Sequence, residues 1–121
     1  MPTVKPLSEE SRCDALIAKL YGVSAVVRLG QKGRRTPNTE GVPDRLYFCK
    51  DHLIFFEVKS ASDYLSVPQI SFLLNVLIRH GVAGCGNRDD LAALLNAPDQ
   101  WRTGHMQIEK YKTRRKALRG A

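Results

Sequence analysis

The sequence predicts an α/β domain: a mixed central sheet flanked by helices. Three observations carry this expectation. Apolar residues recur at helical spacing in three segments. Runs of β-branched and aromatic residues, too short for helices, lie between them. The two kinds follow one another as helix, three strands, helix, strand, helix, an order that puts helices on both faces of a sheet.

Taken in chain order, Cys13, Leu16, Ile17 and Leu20 share one helical face. Ser8 suits the N-cap, with Glu9 and Glu10 in the first turn, and Gly22 suits the stop. Residues 23–29 are rich in β-branched types and read as a strand. Residues 31–41 hold Gly, Pro, Asn, Thr and four charges and read as an exposed loop. Residues 44–49 and 53–58 are apolar strands separated by Lys50, Asp51 and His52, so they form a hairpin. The run Leu53-Ile54-Phe55-Phe56 does not alternate, which predicts a strand covered on both faces.

Ser66 caps the second helix and Pro68 fits its first turn. Its stripe is Ile70, Leu73, Leu74, Leu77 and Ile78. Arg79 and His80 complement its C-terminal dipole, with Gly81 at C′. Residues 82–85 form the fourth strand and 89–96 the third helix. Beyond Pro98 the pattern fades. Residues 1–97 are therefore read as the core unit and 98–121 as a basic C-terminal extension of the same domain. No internal repeat is visible.

The 121 residues suit one domain, with 43% hydrophobic residues to fill its core. No apolar run approaches the roughly 20 residues of a membrane span. The start carries no apolar h-region, so a cytoplasmic protein is expected. Cys13, Cys49 and Cys85 are scattered singly, an odd number that argues against a disulfide framework and for small buried hydrophobes. Cys49 and His52 lack the further ligands of a zinc site. The net charge of +7 and pI near 9.6 point to a polyanionic partner. One basic cluster comprises Arg28, Lys32, Arg34 and Arg35. A second comprises Lys110, Lys112, Arg114, Arg115, Lys116 and Arg119, either a solvated tail or a nucleic-acid contact.

The chemistry concentrates in Gly41-Val42-Pro43-Asp44-Arg45 and Phe55-Phe56-Glu57-Val58-Lys59. An apolar strand ends in two charges that alternation sends to one side, and burying either unpaired is costly. If Lys50 and Asp51 form a two-residue turn, Cys49 faces His52 and the ladder sets Asp44 opposite Glu57. A three-residue turn without a bulge would put Asp44 on the other face. Two adjacent acids repel unless a cation lies between them. A hard divalent ion held by carboxylates, with the Val58 carbonyl as a further ligand, resolves that conflict.

Pro43-Asp44 followed by Glu57-Val58-Lys59 resembles the PD-(D/E)XK nuclease superfamily. With Leu65-Ser66-Val67-Pro68-Gln69 and Arg79-His80-Gly81-Val82, residues 8–86 resemble its virus-type replication-repair nuclease (VRR-NUC) family. The resemblance implies a restriction-endonuclease-like core, αβββαβ, within the nuclease domain 1–97. It implies Asp44 and Glu57 as ligands of Mg2+ or Mn2+, and Lys59 as the residue that orients or activates the attacking water. Gln69 would support Lys59 or the phosphate. A first-helix glutamate, Glu10 with Glu9 as fallback, would complete the metal site. The second Pro-Asp, Pro98-Asp99, lacks the spacer and strand that the pattern requires.

The resemblance implies phosphodiester hydrolysis leaving a 5′-phosphate, and small members of the family act as homodimers that resolve four-way DNA junctions. The Arg28–Arg35 cluster would hold the DNA backbone, favouring selection by DNA structure over base sequence. No membrane association and no small-molecule cofactor are expected. The third helix and C-terminal segment could supply the dimer or DNA contact, with Trp101 either its anchor or a core residue. Alternatives are a nuclease of the same fold acting on flaps, nicks or duplex DNA, and a non-catalytic nucleic-acid-binding module.

Overall fold

The structure, a computed structural model, describes residues 7–29 and 40–120, with side chains described through residue 112. Among these residues it is an α/β protein of four helices and a four-stranded mixed sheet, in the order α-β-β-β-α-β-α-α. The elements are α1 (Glu9–Tyr21), β1 (Val26–Arg28), β2 (Arg45–Cys49), β3 (His52–Val58), α2 (Val67–Ile78), β4 (Val82–Gly86), α3 (Arg88–Asn96) and α4 (Gln100–Gly120). The strands lie in sequence order, with β1, β2 and β3 antiparallel and β4 parallel to β3. No described helix is long and apolar enough to cross a membrane.

Each helix start has a local cause. The Ser8 hydroxyl accepts from the Ser11 N–H, and Gly22, at φ 96°, ends α1. Ser66 and Gln69 form a reciprocal capping box at α2, as do Asn87 and Asp90 at α3. Asp99 accepts the Arg102 N–H at its carboxylate and the Thr103 N–H at its carbonyl. The second Pro-Asp is thus an N-cap for α4.

The sheet separates two apolar clusters. On one face α1 and α3 bring Cys13, Ile17, Leu91 and Leu94 against Tyr47, Cys49, Ile54, Phe56 and Val58. On the other, α2 and α4 bring Leu73, Leu77, Ile108 and Tyr111 against Ala83 and Cys85, with Phe55 packed alongside. β3 lies between β2 and β4 and is covered on both faces from Ile54 onward, which explains its unalternating run.

Several expectations are corrected. The first strand spans only Val26–Arg28, because Val23–Ala25 forms a 3-10 turn after Gly22. Asp44 precedes β2, and β3 starts one residue earlier than expected, at His52. In α2, Leu73 and Leu77 are buried, but Ile78 is 72% exposed and Leu74 lies at the surface, so the stripe is narrower than its pattern. The left-handed residue after α2 is His80, at φ 67°, not Gly81. The His80 N–H bonds the Leu77 carbonyl and the Gly81 N–H the Val76 carbonyl, a Schellman arrangement with His80 at C′.

The largest correction is α4. Its inward positions are Gly104, Gln107, Ile108 and Tyr111, spaced helically but with only two apolar side chains among them. α4 runs along the outer edge of β4. The Gln107 carbonyl oxygen accepts the Cys85 N–H at 3.2 Å, and its amide donates to the Asp90 carbonyl at 2.7 Å. Gly104 sits so close to the Ala83 carbonyl that a Cβ there would collide with it. The helix therefore satisfies part of an edge that would otherwise be an open template.

Candidate functional site

The hairpin fixes the site. Lys50 and Asp51 form a two-residue turn, with Lys50 at φ 55°, and Cys49 pairs with His52. The register ends at Arg45 opposite Phe56, so one step further along Asp44 faces Glu57. The Asp44 N–H donates to Glu57 Oε2 at 3.3 Å. The loop before it is held close to α2: Gly41, at φ 86°, packs against the Pro68 backbone where no side chain would fit.

Glu57 is only 2% exposed and projects to the α2 face, since its neighbours Phe56 and Val58 belong to the opposite cluster. Its Oε1 accepts the Gln69 amide at 2.9 Å. The Gln69 carbonyl oxygen accepts the Ser66 N–H, so the capping box aims the amide at the carboxylate. Gln69 thus supports Glu57, where the sequence suggested Lys59 or a phosphate. Burial, and then the Asp44 carboxyl beside it, pushes the Glu57 carboxyl from 4.5 up to about 8, against opposing pulls from Lys59 and the Asp44 N–H. Lys59 continues the strand line: its N–H donates to the Gly86 carbonyl at 2.8 Å, and its half-buried side chain leaves on the same side as that of Glu57.

Two acids that share a buried corner, one of which keeps its proton toward neutral pH, fit a hard divalent cation by the chemistry of their oxygens. Val58 closes β3 between Glu57 and Lys59, with its side chain in the core, so only its backbone is available to the site. Among the described residues no cluster of three or more His, Cys, Asp or Glu side chains is arranged to hold a metal ion. Glu10 is not brought to the pair. Its carboxylate lies 3.8 Å from the Arg45 guanidinium, on a helix that packs against the other face of the sheet. Glu9 accepts the Arg88 N–H.

Arg28 ends β1 and is exposed, with its guanidinium 3.7 Å from Asp14. Lys32, Arg34 and Arg35 lie outside the described residues. A cavity of about 1040 Å³ lies toward the other end of β3, lined by His52, Ile78, His80, Trp101 and His105, away from Asp44 and Glu57. Trp101 is 53% exposed and packs against His105 with the two rings tilted, so it is not a core residue.

Sequence reasoning missed a buried polar network beside the pair. Arg45, 7% exposed, donates through Nε and Nη2 to the two carboxylate oxygens of Asp14 at 2.9 and 3.2 Å, and the Tyr47 hydroxyl donates to the same carboxylate at 2.9 Å. Two signals pointed to it. Alternation puts Arg45 on the inward face with Tyr47 and Cys49, and Asp14 flanks the buried positions Cys13 and Ile17 on α1. Comparison with protein-family models, with curated proteins and with solved structures found no match to this chain.

Proposed function

We infer that this protein is a divalent-metal-dependent nuclease acting on DNA, with a restriction-endonuclease-like core of the VRR-NUC type. The observation that carries this reading is the meeting of Asp44 and Glu57 at the open end of a two-residue hairpin, with Lys59 two residues further on the same side. A buried acid pair contributes little to stability, since desolvation and like charge both oppose it. A cation between the two carboxylates would offset both.

Asp44 and Glu57 would hold Mg2+ or Mn2+, with the Val58 carbonyl nearby. Such an ion, when bound, neutralises charge developing on the phosphate and lowers the pKa of water. Gln69 keeps Glu57 in place and its carboxylate directed at Asp44. Lys59 supplies a positive charge and a donor beside the scissile phosphate, orienting the attacking water. Arg28 and the neighbouring Lys32, Arg34 and Arg35 place several positive charges just ahead of the pair in sequence, suited to phosphate contacts that do not read bases.

Structure-selective cleavage by a homodimer, on four-way junctions in particular, is the substrate reading. Two sites related by a two-fold axis match a two-fold-symmetric junction. Purified protein with magnesium or manganese, offered four-way junctions, flaps, nicked and linear duplexes, tests it: junction cleavage is expected to dominate. Preferred cutting of flaps, nicks or linear duplex would keep the nuclease and replace the substrate. The two-carboxylate site, without a third acid among the described residues, favours a second reading, a nucleic-acid-binding module. That reading expects salt-sensitive binding without cleavage by any divalent ion.

A further inference from the structure

Asp44 is the residue just before β2, and three bonds hold its backbone, one of them extending the β1–β2 pairing by a step. Its N–H donates to Glu57 Oε2 at 3.3 Å, and its carbonyl accepts the Leu29 N–H at 3.0 Å and Arg45 Nη1 at 3.1 Å. The last donor belongs to the guanidinium that Asp14 grips with both carboxylate oxygens. One end of the fork is fixed by α1 and another nitrogen is aimed at Asp44.

Stability is a poor reason for this network. Desolvating a buried ion pair offsets much of its attraction, and apolar side chains of similar bulk often serve as well or better. An apolar side chain cannot, however, aim a donor at the Asp44 carbonyl, whereas the planar, rigid guanidinium fork can.

We propose that Asp14 and Arg45 are positioning residues for Asp44: Asp14 on α1 orients the Arg45 guanidinium, which holds the Asp44 main chain so that its carboxyl stays beside Glu57. The inference rests on the nuclease reading of the same site. It gives α1 a part in the site that does not depend on Glu10.

The test compares the parent protein with the triple variant Asp14→Leu, Arg45→Met, Tyr47→Phe, which replaces the network by apolar groups and leaves no hydroxyl unpaired. Three quantities are measured: amide hydrogen exchange of Leu29 in metal-free protein, Mn2+ affinity by calorimetry, and steady-state cleavage of a four-way junction. Exchange at Leu29 is expected to quicken. Mn2+ affinity and kcat are each expected to fall roughly 10–100-fold, as for other groups that orient a metal ligand, while KM for DNA and the melting temperature stay close to those of the parent. Parent-like exchange, affinity and kcat would overturn the proposal. Should the triple variant not fold, Arg45→Lys keeps the charge and loses the fork; it is expected to show the same losses, and a parent-like Arg45→Lys also overturns it. A parent that neither binds Mn2+ nor cuts DNA removes the nuclease reading and this inference together, whereas a working parent with unaffected variants removes this inference alone.

Discussion

The backbone N–H of Asp44 donates to the buried carboxylate of Glu57, thirteen residues further along the chain. That bond joins the two halves of the Pro-Asp and Glu-Val-Lys motif, and it makes the hairpin turn at Lys50 and Asp51 a determinant of the chemistry. Inserting one residue at the turn would send the two acids to opposite faces.

Stability should depend on pH through Glu57. Its carboxyl titrates at about 8 in the folded chain and near 4.5 when unperturbed. Between these values the folded state holds a proton that the unfolded state has released. Stability is therefore greatest below the window, falls as pH rises through it, by up to about 1.4 kcal/mol per pH unit, and levels off above it. Urea midpoints from pH 4.5 to 8.5 measure this, and Glu57→Gln should flatten the slope. Magnesium or manganese should raise the midpoint more at pH 8 than at pH 5. Equal slopes for parent and Glu57→Gln would mean that burial does not perturb this group.

Cleavage should require each member of the pair. Asp44→Ala and Glu57→Ala are expected to abolish magnesium-dependent cleavage while circular dichroism reports an intact fold. Lys59→Ala should lower kcat by about 100-fold or more, the range for a positioned proton-transfer group, with DNA affinity nearly unchanged. Full activity in either acid variant would remove the mechanism.

His80 occupies a left-handed position that an L side chain enters at a cost. His80→Gly should stabilise the fold by about 1 kcal/mol in urea denaturation, after the added freedom of the unfolded chain is subtracted. The activity of that variant should equal the parent's, because His80 stands away from Asp44 and Glu57.

Gly104 is where α4 meets the Ala83 carbonyl. Gly104→Val should destabilise by about 1–3 kcal/mol through overpacking. A chain ending at Ala97 should fail to fold cooperatively, since it loses Ile108 and Tyr111 from one apolar cluster and Gln107 from the β4 edge. Thermal melts followed by circular dichroism distinguish these outcomes.

The three thiols should be inert in the folded state. Burial pushes Cys13 up to about 12 and Cys49 to about 11, and raises Cys85 as well. Titration with a disulfide reagent at pH 8 should label them only after denaturation.

The elements with strong local signals were legible in the sequence. Ser8, Ser66 and Gly22 announce helix ends through capping chemistry, and the close spacing of the two apolar runs announces a hairpin. The choice between a two-residue and a three-residue turn, and with it the meeting of Asp44 and Glu57, is made only by the folded register. What escaped was set by tertiary packing. α4 turns a glycine and a glutamine inward, so apolar periodicity does not register it. Arg45 and Asp14 are polar residues on buried faces, visible only when the partner across the sheet is known. The sequence places Gln69 in the site, but which group it touches depends on how its own capping role aims the side chain. Leu74 and Ile78 fit the helical stripe, yet α4 covers too little of α2 to bury them.

The Gln107 carbonyl bonded to Cys85 has a consequence for assembly. A side-chain amide there mimics the acceptor that a fifth strand would offer, and the helix that carries it bars the approach of a neighbouring molecule's backbone. Two copies of this chain cannot extend their sheets into one another through β4. Self-association on this side of the sheet has to use side-chain surfaces, and loss of Gln107 would leave the parallel side of the sheet with an unanswered donor, a starting point for intermolecular ribbons.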